Sequence, residues 1–208
     1  MPDNDDAKDP NTVTTTTASP AASSPALDAE RAELLAALAD ARSTLIGTVE
    51  GLGDEQLGER PTVSALCLGG LIKHVASMEE GWMRFVLEGP SAMNFDLPDG
   101  VTWADIEAGT AREIPQWMID HEGDFRMLPG ETLAGILERY ERVAARSEEI
   151  VAAVPDLSAT YPMPEAPWNA PGEVRSVRRV LMHVIAETAQ HTGHADILRE
   201  ALDGRKAT

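Results

Sequence analysis

The sequence predicts an all-α fold, a four-helix bundle with long crossover connections. Four segments repeat apolar residues at the spacing of an α-helix, and no segment alternates apolar and polar residues convincingly enough to indicate a strand. Two long stretches rich in proline separate the second, third and fourth of these segments. Connections of this length indicate a bundle in which some consecutive helices are joined by long crossovers and not by short hairpin turns.

A polar N-terminal stretch precedes the helices. Residues 1–26 are predicted to be a disordered tail because Thr, Ser, Ala, Pro and Asp dominate and leave almost nothing to bury. Residues 27–204 are predicted to form one domain, a single four-helix bundle. Its four long helices are predicted, in order, over Leu27 to about Gly53, Pro61 to Gly89, Glu131 to Val154, and Ser176 to Leu202. Thr62 or Ser64 is the candidate N-cap of the second helix, and Ser176 is that of the fourth.

The two connections are unusually long for a compact domain. Residues 91–130 contain several prolines and glycines, with short helices predicted around Trp103–Ala108 and Ile114–His121. Residues 155–173 contain five prolines and are predicted to be irregular. Connections of this length often have a functional role, so both are candidates for shaping a binding site.

The formal net charge of −18 argues against binding to nucleic acid, because no basic stripe offsets the repulsion of phosphates. No apolar run is long enough to span a bilayer, so no membrane association is expected. Cys67 is the single cysteine, which excludes an intramolecular disulfide. The first ten residues are acidic and polar where a signal peptide would be basic and then apolar, which predicts a cytoplasmic protein.

The predicted fourth helix carries the most informative pair of residues. At about 100° per residue, Glu187 and His191 fall within about 20° of Val180, in the middle of the apolar stripe. A carboxylate in a core-facing stripe is costly unless something compensates it. Side chains four residues apart point the same way, so this pair could chelate one metal ion.

A third ligand would have to come from another helix. His74 lies at the edge of the apolar stripe of the second helix, in the same sector as Leu71 and Val75. Two histidines and one glutamate suit zinc or another divalent first-row ion. Three protein ligands would leave one coordination position open, as is typical of catalytic rather than structural sites.

Structural explanations remain open for each of these residues. A single histidine on an apolar face is most often a hydrogen-bonded core residue, and Glu187 could pair with Arg179 or face a dimer interface. His183 and His194 are interpreted as residues that line the bundle, with His194 as a candidate hydrogen-bond partner of a ligand. His121 is expected to be solvated, and spacing alone leaves the metal and structural explanations about equally supported.

Two segments resemble a known family. The segment TVSALCLGGLIKHVASMEEGW and the downstream LMHVIAETAQHTGHADILREALDG are similar to the DinB-like superfamily, and more narrowly to its DUF664 branch. That branch is related to the mycothiol-dependent maleylpyruvate isomerase and mycothiol S-transferase proteins. The resemblance covers about Leu27 to Gly204 and implies a bundle of up-down-down-up order, often dimeric.

The resemblance implies specific ligands and a chemistry. It implies a metal site formed by His74, Glu187 and His191, where many superfamily members carry histidine in place of Glu187. The glutamate favours the thiol-dependent branch, in which zinc binds the thiol of a low-molecular-weight cofactor. His194 stands where many relatives have glutamine, so no catalytic role transfers to it.

The functional hypothesis is therefore a metal-dependent thiol S-transferase. It would use mycothiol as co-substrate and a divalent metal ion, zinc in the first place with nickel or another first-row ion as alternatives, to attack a small electrophile. Its expected partners are a small-molecule thiol and an electrophile, and a homodimer is compatible with the resemblance. The alternatives are a metal-dependent hydrolase and a non-catalytic, metal-binding bundle linked to stress.

Overall fold

The computed structural model describes residues 25–206. The tail predicted for residues 1–26 lies outside this range, except that Pro25 and Ala26 begin the first helix. In the described range the elements are, in order, α1 Pro25–Gly47, α2 Asp54–Leu57, α3 Leu68–Glu88, a 3₁₀ turn Gly89–Ala92, α4 Trp103–Glu107, α5 Gln116–Asp124, α6 Leu133–Ala153, β1 Thr160–Pro162, β2 Val174–Ser176 and α7 Val177–Asp203. The predicted all-α bundle is confirmed.

Four long helices, α1, α3, α6 and α7, form the bundle, and each packs on two of the others. One core cluster joins the end of α1 to the start of α3, the start of α6 and the end of α7, and it includes Leu45, Leu71, Ile136 and Leu198. A second cluster joins the opposite ends of the same helices and includes Leu38, Val86, Val151 and Val180. Therefore α1 and α7 run one way and α3 and α6 the other, which is the up-down-down-up order.

A buried carboxylate joins three of the four helices. Glu79 on α3 is fully buried, and the guanidinium of Arg42 on α1 donates to both of its oxygens, with Nε at 3.0 Å from Oε2. The hydroxyl of Ser147 on α6 donates to the same carboxylate. A buried charge is tolerated only when it is paired and hydrogen-bonded, and here both requirements are met.

The long connection between α3 and α6 is anchored on one face of α3. The absence of a side chain at Gly70 lets the backbone at Phe125 approach, since a Cβ there would overlap the Phe125 carbonyl. The buried ammonium of Lys73 donates to the carbonyl of Arg126 at 2.9 Å and pairs with Glu131 at 2.8 Å. These contacts fix the end of α5 against the helix that carries His74.

The structure corrects the predicted start of the second long helix. It begins at Leu68 with Cys67 as the N-cap residue, whose side chain makes no capping bond, so neither Thr62 nor Ser64 is the N-cap. Those two side chains instead accept bonds from backbone amides two residues further on, at 3.2 Å each. Local turns of this kind compete with helix formation and delay the helix. The short helix α2 was also not predicted.

The expectation that the chain has no strands is wrong. β1 and β2 form a two-stranded antiparallel sheet in which Tyr161 lies opposite Arg175, and they close the loop of residues 163–173. Three residues are too few to produce a recognisable alternating pattern. The predicted cap of the last helix is confirmed, since the Ser176 hydroxyl accepts a bond from the Arg179 amide at 3.1 Å.

The two short helices predicted in the long connection are also confirmed, as α4 and α5. The side chain of Thr102 caps α4 by accepting a bond from the Asp105 amide.

Within residues 25–206, no helix has both the length and the apolar character needed to cross a membrane.

Replacing Gly70 with alanine tests the anchoring of the connection. A methyl group at this position would collide with the Phe125 carbonyl, so Gly70→Ala is expected to lower the free energy of unfolding by about 1–3 kcal/mol. The matched control is Gly81→Ala in the same helix, where nothing lies within 4 Å of the added carbon and a small gain of up to about 1 kcal/mol is expected. Urea denaturation of both variants measures the difference, and equal stabilities would contradict the close approach.

Candidate functional site

The helix α7 places Glu187 and His191 one turn apart on its inner face. Their side chains are 30% and 13% exposed, and Nε2 of His191 lies 3.7 Å from Oε2 of Glu187. At that distance the two groups are neighbours without a hydrogen bond between them. The sequence therefore predicted their common orientation correctly.

The third predicted ligand lies against this pair. His74 on α3 is only 7% exposed, and its ring centroid is 4.7 Å from that of His191, with the two rings nearly perpendicular. The contact forms because α3 and α7 pack against each other along the bundle. The structure thus brings His74, His191 and Glu187 into one region, shared by two helices that lie far apart in the sequence.

Two residues of the long connection complete the surroundings of His74. The ring of Phe125 stacks on the imidazole with centroids 4.0 Å apart and an interplanar angle of 24°. His121 on α5 is exposed, as expected, yet its ring centroid lies 5.3 Å from that of His74. Sequence reasoning did not identify either contact, because only the docking of α5 on α3 creates them.

Burial favours the uncharged form of His74 and of His191. The pKa of His74 is lowered to about 3, mainly by burial and further by the repulsion that His191 and His121 would exert on a positive charge. The pKa of His191 is also lowered, again mainly by burial, although the carboxylate of Glu187 partly offsets this. Metal ions bind the neutral form of imidazole, so both side chains are in the form a ligand requires at neutral pH.

Two buried nitrogens at this point have no hydrogen-bond partner. They are Nδ1 of His74 and Nδ1 of His191. Leaving a buried polar atom unsatisfied costs about 1–3 kcal/mol, and such atoms in native proteins often mark a functional role. Two neutral imidazoles with unused nitrogens beside a carboxylate match in chemistry what a divalent first-row ion binds.

The arrangement of these side chains is not that of a closed metal site. Among the described residues, no group of three His, Cys, Asp or Glu side chains has a geometry that would hold an ion as it stands. The donor types fit a metal, whereas the present rotamers do not enclose one. Binding of a metal is therefore treated below as a proposal.

The remaining candidate residues from the sequence lie on α7 and at the start of α3. His194 is exposed with its ring centroid 5.6 Å from that of His191, and it does not bond the buried Nδ1 of His191. His183 packs edge-on against Trp82 at 4.9 Å. Cys67 is buried, with its sulfur 3.7 Å from the Phe125 carbonyl. Arg179 is exposed.

A cleft of about 630 Å³ opens beside His74. Side chains of α3, of the 91–130 connection and of the 155–173 crossover line it, including Trp82, Trp117 and Trp168. The volume lies within the range of small-molecule sites, about 300–1,000 Å³. Both long connections therefore contribute walls to a cleft that reaches His74.

Because Nδ1 of His74 has no hydrogen-bond partner, replacing this histidine should not lower the free energy of unfolding. In the presence of a chelator at pH 8, His74→Leu is expected to leave the free energy of unfolding unchanged or higher, because the variant removes a buried polar atom that lacks a partner. The matched control is Leu71→Ala on the same helix, a fully buried site where a loss of about 2–5 kcal/mol is expected. Chemical denaturation compares the two, and a similar loss in both would show that the imidazole is needed for packing.

The chain was compared with protein-family models and with curated proteins. None of the curated proteins matches it. A family model described as mycothiol-S-transferase matches residues 33–204, which run from the first turns of α1 to the end of α7. The match confirms the resemblance inferred from the segments around His74 and His191. Because it covers well over half of the sequence, the chain belongs to the mycothiol S-transferase family.

Proposed function

We propose that this protein is a metal-dependent thiol S-transferase that joins mycothiol to a small electrophile. The observation that carries the proposal is the convergence of His74 and His191, each with an unpartnered buried nitrogen, beside the carboxylate of Glu187. The family match supports mycothiol as the thiol. The cleft beside His74 supports a second, small co-substrate.

The chemistry requires a thiolate at neutral pH. A divalent ion such as zinc, held by His74, Glu187 and His191, would lower the pKa of a coordinated thiol well below its ordinary value. In the transfer, the sulfur forms a bond to an electrophilic carbon of the second substrate. The leaving group departs with the electron pair of the broken bond, and the thiol proton passes to solvent.

The side chains have separate tasks in this proposal. The two imidazoles supply neutral donors, and the carboxylate of Glu187 offsets part of the charge of a divalent ion. Phe125 covers one face of His74 and keeps water from it. Because α3 and α7 carry the three donors, their separation is set by the packing of the bundle core rather than by a loop. Zinc suits these donors, and nickel or another first-row ion would bind the same set.

Metal binding can be tested without any assay of activity. Addition of zinc to chelator-treated protein is expected to raise the melting temperature, since a ligand that binds only the folded state stabilises it. Glu187→Gln is expected to weaken zinc binding by more than about tenfold, because even residues behind the ligands have effects of that size. Titration of zinc by isothermal calorimetry measures the affinity.

The matched control for this experiment is Glu200→Gln, an exposed glutamate on the same helix. It should bind zinc as the unaltered protein does. Equal zinc affinity in Glu187→Gln and Glu200→Gln would remove Glu187 from the site. A protein that binds no zinc, nickel or cobalt would overturn the metal-dependent function.

Thiol dependence separates transfer from the alternative functions. Conversion of an electrophile such as 1-chloro-2,4-dinitrobenzene to its thiol conjugate is expected to require both mycothiol and zinc. His191→Ala should lower the rate of this conversion by more than about tenfold. The product is followed by its absorbance, with Ile197→Ala on the exposed face of α7 as the control. Hydrolysis of esters or amides without thiol would favour a hydrolase. Zinc binding with neither reaction would favour a non-catalytic bundle.

A further inference from the structure

All four tryptophans of the chain lie in or directly behind the walls of one cleft. Trp82, Trp117 and Trp168 line the cleft beside His74. Trp103 packs behind them, with centroids 5.1 Å from Trp168 and 6.1 Å from Trp117. Phe95 joins the same cluster, 5.2 Å from Trp168 and 5.3 Å from Trp117. Aromatic residues make up only 4% of the sequence, so this concentration is not a consequence of composition.

These aromatic side chains come from three separate parts of the chain. Trp82 belongs to α3, Phe95 and Trp117 to the connection before α6, and Trp168 to the loop closed by β1 and β2. Trp168 remains 57% exposed, although burial of a tryptophan would stabilise the fold. Large apolar side chains left at the wall of a cleft typically mark a ligand site.

The charged groups of the cleft do not favour an anionic ligand. The guanidinium of Arg175 lies over the ring of Trp82 at 4.9 Å and pairs with Glu173 at 2.9 Å. Arg84 pairs with Glu88 at 3.3 Å. Each of the two arginines of the cleft therefore already has a glutamate partner.

Two carboxylates line the same cleft. Asp120 accepts a bond from the amide of Gln116 at 2.8 Å, and burial raises the pKa of Asp124. Flat aromatic walls combined with acidic and already paired basic groups fit a ligand that is planar, apolar and uncharged.

We infer that this tryptophan cleft binds the electrophilic co-substrate, and that it selects electrophiles with a flat, uncharged, conjugated or aromatic body. The inference rests on the proposed function, because the cleft ends at His74, where the thiol would be held. For an aryl chloride, the sulfur bonds to the ring carbon that carries chlorine. The carbon–chlorine bond breaks, chloride leaves with the electron pair, and the thiol proton passes to solvent.

Binding can be measured with a compound that cannot react. We would use 2,4-dinitroaniline, which has the planar nitroaromatic body but no good leaving group, and follow its binding to the full chain by equilibrium dialysis without thiol. Trp168→Ala is expected to raise the dissociation constant by about three- to tenfold, the effect of one aromatic contact. Trp168→Phe keeps a flat ring and should recover most of the affinity. Ile197→Ala, an exposed apolar residue outside the cleft, should bind as the unaltered protein does.

The competing assignment is that the cleft holds mycothiol itself. If the inference holds, mycothiol and dinitroaniline bind together, and neither displaces the other. Competition between them would overturn it, as would absence of binding or equal affinities in Trp168→Ala and Ile197→Ala. Because dialysis needs neither zinc nor turnover, its result is separate from the test of transfer. Binding without transfer would reject the proposed function and leave the cleft as a binding site for flat, uncharged molecules. Transfer without dinitroaniline binding would reject only the assigned cleft.

Discussion

The candidate site depends on the close approach between α3 and the chain that follows α5. Gly70 leaves room for the backbone at Phe125, and the buried ammonium of Lys73 binds the carbonyl of Arg126. One turn further along α3, His74 receives the stacked ring of Phe125. Without this approach, His74 would lose the ring that covers one of its faces. A local backbone constraint therefore determines the environment of the most buried candidate ligand.

The bundle supplies the complementary constraint, which is the relative position of its long helices. The carboxylate of Glu79 binds Arg42 on α1 and Ser147 on α6, so three helices share one buried charge. Since breaking such a pair leaves an uncompensated charge, sliding one helix past another is costly. Rigid helices hold a set of donor atoms more accurately than loops do. Because helices position His74 and His191, the long connections only have to form the walls of the cleft.

The Glu187–His191 pair on α7 was predictable from the sequence, whereas the surroundings of His74 on α3 were not. The spacing of Glu187 and His191 was sufficient to place both on the inner face of α7, because the period of a helix is fixed. The choice of His74 depended on the resemblance to a family, since periodicity cannot say which residues of two helices meet. The contacts of His121 and Phe125 with His74 gave no signal in the sequence. The short sheet and the late start of α3 were missed because turns and three-residue strands have no period to detect.

The sequence by itself determined the four amphipathic helices, the N-cap of α7 and the two short helices of the long connection. It did so because helical period and capping are local properties of the chain. Only the tertiary structure decided that three tryptophans from three segments line one cleft, with Trp103 packed behind them, and that this cleft reaches His74. Such contacts join residues that are far apart in sequence, and they arise from how loops dock on the bundle. The candidate ligands could thus be named from the sequence, whereas the site for a second substrate could not.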